Sequence, residues 1–224
     1  MTRERLKLPE QKVRDYAHGL ADKLAREQLA GIDDIEKQCL KSGARYIPSE
    51  KAISIDYLNQ TYRISFPDGE VSLTTGEEVP IRDKILILHY FTRARGIPLS
   101  QKTITYKELP DGVNYFPVFA QRAIQPLVTF FGSEPAQLLE TAKILGGHKA
   151  DYGDTSVTIH AFKQVPVTLV LWRGDAEFAP EGSVMFDSTI SDYLTNDDIH
   201  TLCENIAWRL VRLLKIGGER PGKR

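Results

Sequence analysis

The stretch from Thr155 to Asp187 leaves this chain the fewest alternatives. In TSVTIHAF, Val157, Ile159 and Ala161 alternate with polar neighbours. In VPVTLVLW, Val165, Val167, Leu169 and Leu171 hold one period while Thr168, Val170 and Trp172 hold the other. Successive side chains of a strand point to opposite faces, so each run predicts a strand with a buried face. Only Lys163 and Gln164 lie between the runs, too short a link for a crossover, and the two are predicted to form an antiparallel hairpin. SVMFD supplies a third strand beside them.

The remaining segments must cover that sheet. KVRDYAHGLADKLAREQLAG places Val13, Tyr16, Ala17, Leu20 and Leu24 on one side of a helical wheel, predicting an opening helix that Gly31 ends. IDDIEKQCLKSGARY reads as a second short helix stopped near Gly43, with Cys39 and Leu40 turned inward. The period changes in AISIDYLNQTYRISF, where Ile53, Ile55 and Tyr57, then Tyr62, Ile64 and Phe66, mark two strands with Asn59 and Gln60 at the bend. A Pro-Asp-Gly turn at Pro67 to Gly69 leads to a further strand through Val71 and Leu73.

After Pro80, IRDKILILHYFTRARG is apolar over enough of its surface to predict a deeply buried helix, and KTITYKEL a short strand. Pro126 must kink or break the helix in FPVFAQRAIQPLVTFFG, because proline removes a donor and clashes with the preceding turn. EPAQLLETAKILGG is a helix closed by Gly146 and Gly147. The last helix is capped at Asn196, with Asp197 and Asp198 at its positive end and Arg209, Arg212 and Lys215 toward the other. Its inward stripe is Ile199, Leu202, Cys203, Ile206, Leu210 and Leu213, before Gly217 and Gly218.

Groups of strands and groups of helices follow one another without a repeating strand–helix unit. That order predicts an α+β fold, mostly antiparallel sheet packed with amphipathic helices, with N-terminal helices and a long C-terminal one. For 224 residues with no linker-like stretch, one compact domain over 1–224 is expected, ending in a short basic tail at 217–224.

Several function classes are disfavoured. A net charge of -1 gives nucleic acid or an anionic membrane nothing global to attract, so neither is an expected partner. Cys39 and Cys203, with no CxxC pair, argue against a disulfide scaffold and cannot supply the four thiolates of an iron–sulfur or structural zinc site. No apolar run approaches the ~20 residues that cross a bilayer, and a reduced, soluble, cytoplasmic protein is expected. The phosphate-binding glycine patterns, the GxSxG elbow and HExxH are all absent.

Chemistry is expected where LWRGDAEFAP leaves its strand. Gly174 releases the chain into a turn, so Asp175 and Glu177 emerge near the strand's end, and Asp187 closes the neighbouring SVMFD strand. If Asp175, Glu177 and Asp187 converge, they ligate a divalent cation or divide into an acid and a base. Arg173 would balance their charge, and His160, on the polar face of its strand, would lie nearby. The competing reading is structural. Asp175 then accepts backbone hydrogen bonds in its own turn, Arg173 pairs with Glu177 or Asp187, and Asp187 caps a turn at Ser188. His89, in an apolar helix, reads as a core histidine with its hydrogen bonds satisfied.

The run LHYFTRARGIPLSQKTITYKEL, the run from TSVTIHAF to SDYL and the final amphipathic helix together resemble a prokaryotic family known as domain of unknown function 3786. The likeness extends from the YAHGLA helix to the last one and is most specific over Val165 to Leu194. It implies a pattern of WRGD and EF at Trp172 to Asp175 and at Glu177 and Phe178, with FD at Phe186 and Asp187. The resemblance carries no established reaction. Some members are joined to iron–sulfur modules in anaerobes, but this chain lacks the cysteine-rich part, so no cluster is expected in it.

The function expected first is binding of a small molecule or divalent cation at the carboxylate-lined end of the C-terminal sheet. His160, Arg173, Asp175, Glu177 and Asp187 are the ligand-binding candidates, and Asp175, Glu177 and Asp187 the metal candidates. One alternative is an accessory, protein-interaction domain in anaerobic metabolism, with Trp172, Tyr115, Phe116 and Phe119 as anchors. The other is a metal-assisted hydrolase in which His160 or Glu177 moves a proton.

Overall fold

The computed structural model describes residues 10–175 and 177–218. The basic residues beyond Gly218 and the side chain of Val13 lie outside the described set. Two antiparallel sheets form the frame. The first holds β1 (Arg45–Ile47), β2 (Ala52–Tyr57), β3 (Gln60–Ser65) and β4 (Val71–Leu73), in that order. The second is built from β5 (Thr103–Thr105), β6 (His148–Ala150), β7 (Thr155–Phe162), β8 (Val165–Trp172) and β9 (Glu181–Asp187), ordered β5-β9-β8-β7-β6. Helices α1 (Glu10–Ala30), α2 (Ile35–Ser42), α3 (Ile81–Arg93), α4 (Gly112–Phe119), α5 (Gln125–Phe131), α6 (Ala136–Ala142) and α7 (Asn196–Gly218) complete the α+β architecture. No helix among the described residues is long and apolar enough to cross a membrane.

The strands whose alternation is plain lie where it predicts them, and β8 pairs with both β7 and β9. β1 and β6 were not anticipated, because a three-residue strand is too short to display a period. The β2–β3 bend falls one residue earlier than expected. Leu58 and Asn59 have positive φ of 48° and 62°, as a type I′ turn requires, and Gln60 already pairs with Tyr57. Pro126 breaks its helix as the clash argument demands. α4 widens into a π-helical turn at Ala120–Ile124, and α5 restarts with Pro126 in its first turn, where a missing N–H is harmless.

Three apolar or capping expectations need correction. Tyr16, Ala17, Leu20 and Leu24 face solvent, and α1 instead buries Ala25 and Leu29. That orientation lets Arg26 bridge Asp22 on its own helix and Glu70 beyond β3. Leu40 is also exposed, and Gln38 takes the inward place beside Cys39. Its amide donates to the carbonyls of Phe91 and Ala94 at 2.6 and 3.1 Å, satisfying acceptors that the end of α3 leaves open. At α7 the capping residue is Thr195, not Asn196. Thr195 Oγ1 accepts from the Asp198 N–H, while the Asp198 carboxylate accepts from the Thr195 N–H and hydroxyl. Asp198 also meets His89 Nδ1 at 2.7 Å, which gives His89 its partner.

A column of five buried rings joins the layers. Tyr62 lies 5.8 Å from Tyr57, Tyr57 stacks on Phe162 at 4.9 Å, Phe162 on Tyr90 at 3.9 Å, and Tyr90 on Tyr193 at 5.8 Å. Beside it, the bulge between His160 and Phe162 turns the Ala161 carbonyl toward the β2–β3 tip, where the Leu58 N–H donates to it at 3.0 Å. Phe162→Ala is expected to cost about 3–5 kcal/mol of unfolding free energy. Urea denaturation at neutral pH would measure it, and a loss well under 1 kcal/mol would mean that the column does not support the packing.

Candidate functional site

The Arg173–Pro180 segment leaves β8 as a turn. Asp175 Oδ1 accepts the N–H groups of Glu177 and Phe178, both at 2.8 Å, and the Asp175 N–H returns to the Phe178 carbonyl. Those two N–H donors hold the exposed Asp175 carboxyl below its usual range. Arg173 is exposed, and its N–H, not its side chain, is fixed, by Asp154 at 2.8 Å. Arg173 forms no ion pair with Glu177 or Asp187 among the described residues.

Asp187 lies at the other end of β9. Trp172 pairs with Glu181 and Val167 with Phe186, so β9 runs away from the Arg173 turn for about 20 Å before Asp187. There it caps the turn at Ser188–Asp192. It accepts from the N–H and hydroxyl of both Ser100 and Thr189, and from the Gln101 N–H. The expected convergence of Asp175, Glu177 and Asp187 is therefore corrected, because antiparallel pairing puts them at opposite ends of one strand. No group of three or more His, Cys, Asp and Glu side chains among the described residues is placed to hold a metal ion. Of the aromatic candidates, Phe119 is wholly buried, stacked on Tyr106 at 3.9 Å, while Tyr115 and Trp172 reach the surface.

His160 stands apart from both ends. It projects from β7 just before the bulge, on the face opposite Ile159 and Ala161, and its ring stacks on His148 at 5.8 Å. Burial and the neighbouring His148 push its pKa below the ordinary value, against a smaller opposing effect from the Lys163 backbone. Its side chain lines a cleft of about 540 Å³ where the β2–β3 hairpin, the α2 end, the turn after α6 and the β7–β8 turn meet. Ile55, Leu145 and Phe162 give the cleft an apolar side, while Asp56, Asn59, Thr61, His160 and Lys163 make it polar.

Local chemistry fixes that rim. Thr61 donates to Asp56 across the hairpin at 2.7 Å, and the Asn59 amide donates to the Ile144 carbonyl at 3.2 Å. Gly43 takes a positive φ of 71° at the end of α2, and an added Cβ would lie 2.2 Å from Lys163 Cδ. The missing side chain lets the lysine stem cross the α2 terminus. Asp56, Thr61 and Lys163 were not singled out from the sequence. The available signal was that Asp56 and Thr61 share the polar register of a hairpin, but nothing local says that this hairpin meets the β7–β8 turn.

A second polar group of side chains lies on the other face of β3. The Asp83 carboxylate, almost wholly buried, accepts from Arg209 Nη2 at 2.5 Å, Asn205 Nδ2 at 2.8 Å and the Tyr57 hydroxyl at 3.2 Å. Burial pushes the Tyr57 phenol well above its usual value, and the Asp83 charge adds to the effect. For Arg209, burial opposes the charge, but Tyr57 and Asp83 outweigh it and the guanidinium pKa is raised.

A family model described as Domain of unknown function (DUF3786) matches residues 34–209. The chain belongs to that family. The matched span runs from the Asp34 cap of α2 to Arg209, so it holds the whole His160 cleft and the Asp83–Arg209 pair. No curated protein and no solved structure matches the chain.

The Asp187 cap has a pH signature. Burial alone would raise its pKa, but the Thr189 and Ser100 donors overcome that and hold it below its ordinary value. A carboxyl with a lowered folded pKa contributes stability above its unfolded pKa of about 3.9 and loses it as pH falls through the folded value. Asp187→Asn is expected to cost about 1–3 kcal/mol at pH 7, and the gap to wild type should narrow below about pH 3.9. Urea unfolding across that range would measure it, and a gap independent of pH would refute the assignment.

Proposed function

We propose that this chain binds a small polar organic molecule bearing an acidic group, in the cleft lined by His160 and Lys163. The observation that carries the reading is the cleft of about 540 Å³, with an apolar wall and a few convergent polar groups. That size and mixture suit a small-molecule site. Lys163 and, when protonated, His160 meet the acidic group, while Asp56 and Asn59 accept or donate hydrogen bonds to the rest. The Arg173–Glu177 turn is not part of this cleft, and a metal-assisted hydrolase would draw on carboxylates that stand at opposite ends of β9.

Binding of an anion here should follow the His160 charge. Its pKa lies below the ordinary 6.5, so the ring is neutral at pH 7.5 and gains a proton on acidification. Isothermal titration with succinate and citrate is expected to show saturable binding by at least one of them, tightening as the pH is lowered from 7.5 through the range in which His160 gains its proton. That tightening should be smaller in His160→Gln, where only the ligand's own titration remains, and affinity should fall in Lys163→Ala. Saturable binding by neither, or equal affinity in Lys163→Ala, would overturn the reading.

A further inference from the structure

Alternate residues of β3 face different spaces. Thr61 looks into the His160 cleft, whereas Gln60 and Tyr62 line a separate cavity of about 370 Å³ between β3, the loop before α3, and α7. Its deep end is polar. Tyr62 and Asp83 are almost wholly buried there, and the Arg209 side chain is only 17% exposed. Arg209 gives one Nη2 contact to Asp83, also engages the Tyr62 hydroxyl, and lies over the Tyr57 ring at 5.4 Å. A guanidinium carries five N–H donors in a planar fork, so donors remain for a further acceptor beyond these two.

The mouth has a different chemistry. Glu77 and Glu78 stand on the loop before α3, exposed, and neither forms a salt bridge among the described residues. Arg212 faces them from α7, one turn beyond Arg209, and it too has no carboxylate partner among the described residues. Between these charges the wall is aliphatic, from Leu58, Leu73, Leu145 and Leu213.

We propose that this cavity binds an apolar α-amino acid. The ligand carboxylate is received by the free donors of Arg209 with Arg212, its ammonium by Glu77 and Glu78, and its side chain by the leucine wall. A plain carboxylate would leave both glutamates uncompensated, and a plain amine would leave Arg212 unpaired; a zwitterion with an aliphatic body answers both. The buried Asp83–Arg209 pair holds the guanidinium plane in place, which favours planar, bidentate recognition of a carboxylate. The site shares neither charged group nor histidine with the His160 cleft, so the two proposals stand or fall separately.

The test is isothermal titration of the full chain with L-leucine and L-phenylalanine, and with two leucine analogues, isoamylamine lacking the carboxylate and isocaproate lacking the amine. Saturable binding of at least one amino acid is expected, with both analogues weaker by about tenfold or more, the loss of one charged hydrogen-bonded group. Arg209 is not the residue to change, because its loss strands Asp83. Arg212→Gln and the double variant Glu77→Gln/Glu78→Gln are chosen instead, each checked for an unchanged melting temperature, and each should weaken binding while Lys163→Ala leaves it intact. No saturable heat with either amino acid, analogues binding as tightly as leucine, or rim variants without effect would overturn the proposal.

Discussion

The ring column from Tyr62 to Tyr193 sets the positions of everything around it. Aromatic side chains bury large areas and prefer offset or stacked contacts, so five in series hold three layers at defined spacings. Tyr57 and Tyr62 come from the first sheet, Phe162 from the second, Tyr90 from α3, and Tyr193 from the turn before α7. The tyrosines also carry hydroxyls that need partners once buried. Tyr90 donates to the Ser42 carbonyl at 2.7 Å, Tyr193 to the Ile97 carbonyl and Tyr57 to Asp83. Each of these three tyrosines therefore fixes a backbone or side-chain acceptor at its edge as well as a neighbour on its face, and the α2 terminus is placed against the β2–β3 hairpin by this means.

A charge pair would not be expected so close to those rings on energetic grounds alone. Removing an ion from water costs several kcal/mol even after relaxation, and a lone counter-charge often fails to restore it. Asp83 is compensated by three donors, two of them on α7 one turn apart and the third on β2. Arg209 is compensated by its carboxylate and by the face of Tyr57. The arrangement ties α3, α7 and the first sheet together by direction as well as by area, a kind of specificity that leucine packing does not supply.

Much of the fold is legible because its longest elements carry their period openly. β7 and β8 alternate over eight residues each, and α7 keeps Ile199, Leu202, Cys203, Ile206 and Leu210 inward as its stripe requires. α1 shows where the rule fails: an apolar stripe reports that a helix has two faces, not that the tertiary structure covers the apolar one. Leu40 lost its inward place to Gln38 because an amide can satisfy open helix-end carbonyls and leucine cannot. The acidic cluster failed for a geometric reason. Asp175 and Asp187 are close in sequence, yet antiparallel strands carry near neighbours to opposite ends. The residues of the His160 cleft and of the Asp83 pair are far apart in the chain, and only the assembled layers bring them within reach.

The two-residue loop at Leu58 and Asn59 has a consequence for how this hairpin can vary. Because side chains alternate, inserting or deleting one residue between Tyr57 and Gln60 would rotate all of β3 by half a period. Thr61 would then exchange sides with Tyr62, carrying a hydroxyl into the aromatic column and a phenol into the polar cleft. The Leu58 N–H would lose its aim at Ala161 in the same step. Length change at this tip is thus permitted by parity: added residues must come in pairs, or loop outward beyond the strands, to leave both faces of one thin strand serving two separate chambers.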